Sequence, residues 1–119
     1  VLHYFSEVVD ECRKRNISDL IIDPGFGFGK SLDHNYTLLA NLEQFEIFNC
    51  PLLVGFSRKS MIWKLLDSSA EVALNGTTVL NTIALTKGAS ILRVHDPLEA
   101  KEAITLFNKM KSCEALPYS

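Results

Sequence analysis

Apolar residues recur along the chain with a period that switches between about 3.6 and short unbroken runs, which predicts helices alternating with strands. Phe5, Val8, Val9 and Cys12 lie at i, i+3, i+4 and i+7 on one helical face, with Glu7, Asp10, Glu11, Arg13 and Lys14 opposite. Asn16 suits a left-handed helix end. Leu20 to Asp23 reads as a short strand buried on both faces. A second helix, capped by Ser31 or Asp33, carries Leu38, Leu39, Leu42 and Phe45 inward and ends at Cys50-Pro51. Leu52-Leu53-Val54 is the second strand, and Met61, Ile62, Leu65 and Leu66 mark a short helix after it. Ser68-Ser69-Ala70-Glu71 fits a capping box for a helix continuing through Val72, Val79, Leu80, Ile83 and Ala84. Gly76 weakens that helix or splits it, with Thr77 as a second cap, and Lys87-Gly88 closes it. Ile91-Leu92-Arg93-Val94 is the third strand. Asp96-Pro97-Leu98-Glu99 then opens a helix whose inner face is Ala103, Ile104, Phe107 and Met110. The tail over 111–119 is expected to fray.

The order is one helix followed by three strand–helix units, each near the size of a βαβ unit. Such units form parallel sheets with right-handed crossovers. No linker divides the chain, so residues 1–119 are read as one α/β unit.

Composition narrows the function classes. The 119 residues are 47% hydrophobic and 22% charged, with a formal net charge of −2. That balance favours neither nucleic acid nor an acidic membrane as partner. Cys12, Cys50 and Cys113 have neither metal-ligand nor disulfide spacing, which points to buried, reduced thiols in a cytoplasmic protein. No run approaches membrane-spanning length and no signal peptide opens the chain. Val1-Leu2 leads straight into helical pattern, so the start reads as a cut.

The candidate chemistry sits in three loops that follow the strands. The first is Asp23-Pro24-Gly25-Phe26-Gly27-Phe28-Gly29-Lys30. Its glycines permit close backbone approach to a ligand. It fails both the P-loop and the dinucleotide pattern: three residues separate Gly25 from Gly29, and the glycines run G-x-G-x-G. A tight turn accounts for one or two glycines, but not for Asp23 or for two phenylalanines that read as exposed. The second loop, Gly55-Phe56-Ser57-Arg58-Lys59, opens a helix, where backbone N–H groups attract anions. Taken alone it is equally a solvated basic turn. In the third, Arg93 and His95 alternate with Leu92 and Val94 and so share one side of a strand end, a cationic pair suited to a leaving phosphate. His3 and His34 have no such company and are read as surface or structural.

Together, Asp-Pro-Gly-Phe-Gly-Phe-Gly-Lys, Gly-Phe-Ser-Arg-Lys-Ser and Arg-Val-His-Asp, in this order and spacing, resemble the dihydropteroate synthase family over nearly the whole chain. The resemblance implies a (β/α)8 barrel with its site at the C-terminal strand ends. This chain would correspond to the last three strands and their helices plus the preceding helix: three parallel strands with four or five helices. The implied reaction joins 6-hydroxymethyl-7,8-dihydropterin pyrophosphate to p-aminobenzoate and releases pyrophosphate, in an enzyme family targeted by sulfonamides. By the same resemblance Asp23, Lys59 and Gly55 would face the pterin, and Phe28, Ser57 and Arg58 the p-aminobenzoate. Arg93 and His95 would hold the pyrophosphate, and Arg93, His95 and Lys59 would be the catalytic group. Mg2+ is implied as cofactor, its ligand being an asparagine of the family's early strands, with no metal ligand in this chain. A homodimer through the Ser69–Lys87 and Leu98–Met110 helices is implied too. A whole barrel needs about 250 residues, so these 119 read as a fragment expected to be inactive alone. The competing readings are a pterin-binding methyltransferase, whose family shares the aspartate loop more than the other two, and a non-catalytic pterin-binding half-barrel.

Overall fold

The first helix forms where its apolar stripe finds an aromatic cluster to cover. The computed structural model describes residues 1–27 and 29–115. Helix α1, Leu2–Lys14, lays Leu2, Phe5, Val9 and Cys12 inward, and Phe5 meets Phe45 edge-on with ring centroids 5.6 Å apart. Val8 was expected on that face but is 40% exposed. The docked face is rotated toward Val9, which brings Leu2 in and leaves Val8 at the flank. The helix closes with Asn16 at φ 60° and a bond from Ile17 N–H to Cys12 O at 2.9 Å, a Schellman-type end.

The expected second helix divides in two. Helix α2, Leu32–Ala40, starts at Ser31, whose hydroxyl accepts the His34 N–H at 3.1 Å. A 3₁₀ helix, Leu42–Phe48, follows at once. Leu42, Phe45 and Phe48 are all buried and recur every third residue, which suits three residues per turn and not 3.6. Asn49, at φ 52°, ends it ahead of Cys50-Pro51.

The sheet is short and parallel. Strand β1, Leu53–Val54, pairs with β2, Ile91–Leu92, in the register Leu53–Ile91 and Val54–Leu92. The expected strand at Leu20–Asp23 is reduced to one parallel bridge, Ile22 with Leu52, on the other side of β1. It is not buried on both faces: Ile22 is enclosed but Ile21 is 59% exposed. With no strand beyond it among the described residues, this segment is an edge, and only its inward side chain is covered.

Helix α3, Ser60–Trp63, buries Met61 and Ile62 and stops there, so Leu65 and Leu66 are exposed instead of continuing its face. A 3₁₀ turn, Ala70–Val72, follows Ser69, whose side chain makes no cap bond; the expected capping box does not form. Helix α4, Leu74–Thr86, contains both Gly76 and Thr77. Thr77 is no second cap: it is buried, and its hydroxyl donates to Ala73 O at 2.8 Å. Helix α5, Pro97–Cys113, packs Ala100, Ala103, Ile104 and Phe107 inward, while Met110 is 55% exposed. It runs on through Lys111 to Cys113, past the expected start of the tail, and residues 116–119 lie outside the described part. The cysteines are not buried as expected: Cys113 is exposed on the last turn of α5, and Cys12 and Cys50 are half-buried. The result is a helix-rich α/β slab, 47 × 45 × 23 Å, with three strand ends opening toward one set of loops.

Candidate functional site

The segment that ends at the Ile22 bridge delivers Asp23 to the rim of the sheet. One carboxylate oxygen, Oδ1, accepts the Gly25 N–H at 2.9 Å, a local turn that fixes the side chain. The other, Oδ2, accepts Arg93 Nη1 at 3.0 Å. Arg93 comes from the end of β2, seventy residues away. Its guanidinium lies across Gly55: a Cβ built there would stand 3.0 Å from Nη2 and 3.1 Å from Nε. Gly55 thus gives the arginine its path to the aspartate, which a larger residue would crowd.

The glycine loop is held by cations through its carbonyls. Lys30 Nζ donates to Gly25 O at 2.6 Å and Lys59 Nζ donates to Phe26 O at 2.7 Å. Gly25, Gly27 and Gly29 all have positive φ. Asn35, buried on α2, accepts the Gly27 N–H at 2.8 Å and donates to Ser31 O at 3.2 Å, tying the loop to the helix. Burial pushes the Lys59 amine below the ordinary lysine range; Arg93 and Lys30 push the same way, and Asp23 opposes them. Three cations and one carboxylate therefore share this rim, and the local field favours a ligand carrying negative charge.

Asp23, Gly55, Lys59 and Arg93 are thus brought together from three loops. Ser57 joins by a different route: its hydroxyl accepts the His95 N–H at 3.0 Å, linking the second loop to the third. The His95 ring is exposed and makes no hydrogen bond among the described residues. Arg58 turns to another partner, Asp96, at 3.0 Å, which raises its pKa. Phe28 lies outside the described residues. Phe26, expected to be exposed, is buried and packs on Phe56 with centroids 4.6 Å apart; the inward turn at Gly25 carries its ring into the core.

Sequence reasoning missed Lys30, Asn35 and Asp96 as parts of this framework. Lys30 closes the first loop, and nothing in the sequence alone points to a role for it. Asn35 had a signal, a polar side chain four residues before Leu39 on the inner face of α2. Asp96 closes the Arg-Val-His-Asp motif and reads from the sequence as a helix cap, a role its side chain does not take.

A divalent cation does not fit this donor set. Asp23 is already engaged by Arg93 and Gly25, two lysines flank it, and no group of three or more His, Cys, Asp or Glu side chains gathers among the described residues. A groove of about 830 Å3 lies elsewhere, between α4 and α5, against Thr78, Thr82, Leu98, Leu106 and Met110. No helix among the described residues is long and apolar enough to cross a membrane.

Comparison with known proteins adds three findings. The family model of pterin binding enzymes matches residues 1–95. The dihydropteroate synthase of Escherichia coli strain K12 is 50% identical over 106 residues, which is 87% of this chain and 38% of that protein. Among solved structures, Yersinia pestis dihydropteroate synthase with a pterine-sulfa conjugate superposes with a TM-score of 0.89 at 41% identity, covering 95% of this chain and 46% of its own. The 7,8-dihydropteroate synthase of Vibrio fischeri gives 0.83 at 47% identity, covering 97% and 43%. The chain therefore spans less than half the length of each of these relatives.

Proposed function

Because the chain belongs to the pterin binding enzyme family, we propose that it forms the pterin- and diphosphate-facing part of a dihydropteroate synthase. In that reading it supplies the last three strands of a (β/α)8 barrel, the bridge at Ile22 standing for the first of them. The substrates are 6-hydroxymethyl-7,8-dihydropterin pyrophosphate and p-aminobenzoate, and pyrophosphate leaves. The observation that carries the proposal is the Asp23–Arg93 ion pair beside Lys59, an acid and two cations contributed by three separate strand ends.

Asp23 then accepts N–H donors from the amino-pyrimidine edge of the pterin, a task that needs the ionised acid. Lys59 reaches the ring, and Gly55 leaves room for it. Arg93 and His95 take the diphosphate and stabilise the charge that grows on it as the C–O bond breaks. Ser57, Arg58 and Phe28 face the p-aminobenzoate. In this reading Arg93 exchanges Asp23 for the diphosphate when substrate arrives, which frees the carboxylate for the pterin. No nucleophilic side chain is required. Mg2+ would be held by residues outside this set. A homodimer would use the α4–α5 surface.

Calorimetry with the pterin pyrophosphate tests the site. The chain should bind it, and Asp23→Ala should weaken binding about tenfold or more, the loss of a charge-assisted pair. Binding indifferent to that change, or no binding at all, would overturn the assignment. With p-aminobenzoate added, the 119-residue chain alone should release no pyrophosphate, since it spans 38% of the matched relative.

A further inference from the structure

Asp96 occupies the N-cap of α5, yet its carboxylate caps nothing. Oδ1 accepts Arg58 Nη2 at 3.0 Å, and Oδ2 is buried with no hydrogen-bond partner among the described residues. An aspartate at a helix start ordinarily turns to a free N–H of the first turn. Here that bond is forgone for a residue thirty-eight positions away.

The partner is itself held in an unusual conformation. Arg58 has φ 55°, a left-handed backbone that few non-glycine residues adopt. Its N–H donates to Thr77 Oγ1 at 3.1 Å, and Thr77 is buried on α4. The backbone of Arg58 is therefore fixed to α4 and its guanidinium to the start of α5. The residues on either side serve the site: Ser57 accepts the His95 N–H and Lys59 reaches Phe26 O. A turn pinned at its middle residue sets where both neighbours stand.

We propose that Asp96 is a positioning residue of this site: by holding Arg58 it fixes the turn that presents Ser57 and Lys59. The proposal rests on the reading of Asp23, Lys59 and Arg93 as the ligand-binding cluster, and it extends that reading to a residue that touches no ligand. Glu99 adds a weaker attraction to Arg58, so Asp96 is the dominant partner.

The test needs no substrate, so failure of pterin binding and failure of this proposal are separable. Lys59 reports on the turn, because its burial holds its amine below the ordinary lysine range, with Arg93, Asp23 and Lys30 as the charged groups that act on it. The pH profile of Lys59 acetylation by acetic anhydride is read by peptide mass spectrometry on the 119-residue chain. Asp96→Asn keeps a side chain that caps helices well and removes the charge. Its Lys59 midpoint should rise by about half a unit, so that acetylation below the midpoint slows about threefold. Arg58→Gln, which also removes the longer Arg58 Nη1–Glu71 O bond at 3.5 Å, should shift it at least as far, and the double variant no further than Arg58→Gln, since both changes break the Arg58–Asp96 pair. An unshifted Lys59 profile in either single variant overturns the proposal. So does an additive double variant that loses thermal stability in step with the shift, which would mark general loosening of the chain.

Discussion

Lys59 carries opposing demands, and its titration exposes them. The Nζ group donates to Phe26 O while burial disfavours its charge. A lysine whose folded pKa lies below its unfolded value binds fewer protons folded than unfolded between those two values. Stability then rises with pH through that window. The penalty is in full force below the folded value and is gone above the ordinary lysine value of 10.5. Relative to Lys59→Met, the native chain should therefore gain stability as pH rises from neutral toward that value, measured by urea unfolding of both proteins at stepped pH. Taking the difference removes the tyrosines, including Tyr36, whose pKa burial raises. A flat difference would mean that Lys59 is as solvated in the folded chain as in the unfolded one. In the sequence, the residue types and order of Asp23, Gly55, Lys59 and Arg93 were enough to single them out. Their partners were not legible. The Arg93–Asp23 and Arg58–Asp96 pairs join residues seventy and thirty-eight positions apart, and only the folded sheet edge brings them within reach.

The contact of α3 with α4 shows how one residue sets the spacing of two elements. A Cβ at Gly76 would stand 2.3 Å from Ile62 Cγ2, and Ile62 is buried. The obstructing atom is a branch methyl on a stiff side chain, so it cannot swing away as the end of a lysine would. Gly76→Ala gains up to about 1 kcal/mol of helix propensity. Overpacking costs about 1–3 kcal/mol, so the variant should be net destabilised, with a lower urea midpoint. Pairing it with Ile62→Ala should recover part of the overpacking loss, a coupling that a double-mutant cycle measures directly. The sequence marked Gly76 as a weak point of a helix; its use as a contact surface depends on the crossing of α3 and α4, which periodicity does not encode. The same limit explains the other departures. Periodicity assigned Leu42 and Phe45 to an α-helix, where the three-residue spacing through Phe48 supports a 3₁₀ helix instead. It assigned Leu65 and Leu66 to a face that α3 is too short to carry. Helices α1, α4 and α5 were legible because their apolar stripes are long, although α4 starts at Leu74, beyond the expected capping box; the strands were legible in place but not in extent.

At the scale of the whole molecule, the surface is larger than the mass explains. A folded monomer of 13.3 kDa exposes about 6,500 Å2 by the usual scaling, whereas this chain exposes 8040 Å2. Its radius of gyration, 15.8 Å, also exceeds the roughly 13.5 Å of a compact domain of this length. Both follow from a flat slab with an open sheet edge at Ile21 and an apolar groove between α4 and α5. Leu98, Leu106 and Met110 stand exposed along that groove, Leu106 at 73%, beside threonines and flanked by Glu99, Lys101 and Glu102. An uncovered apolar surface of this kind promotes association. The two candidate faces predict different assemblies. A like-with-like contact through α4 and α5 closes at a dimer, whereas pairing the Ile21 edge of one copy with the β2 edge of the next is head-to-tail and runs on to larger species. Sedimentation velocity over a concentration series separates them. If the helical face dominates, the chain sediments as a discrete dimer, Leu106→Glu shifts it to monomer, and Ile21→Lys leaves it unchanged. If the edge dominates, Ile21→Lys is the variant that restores small species. A native chain that stays monomeric at high concentration would show that neither face associates, and the homodimer would be withdrawn for this chain.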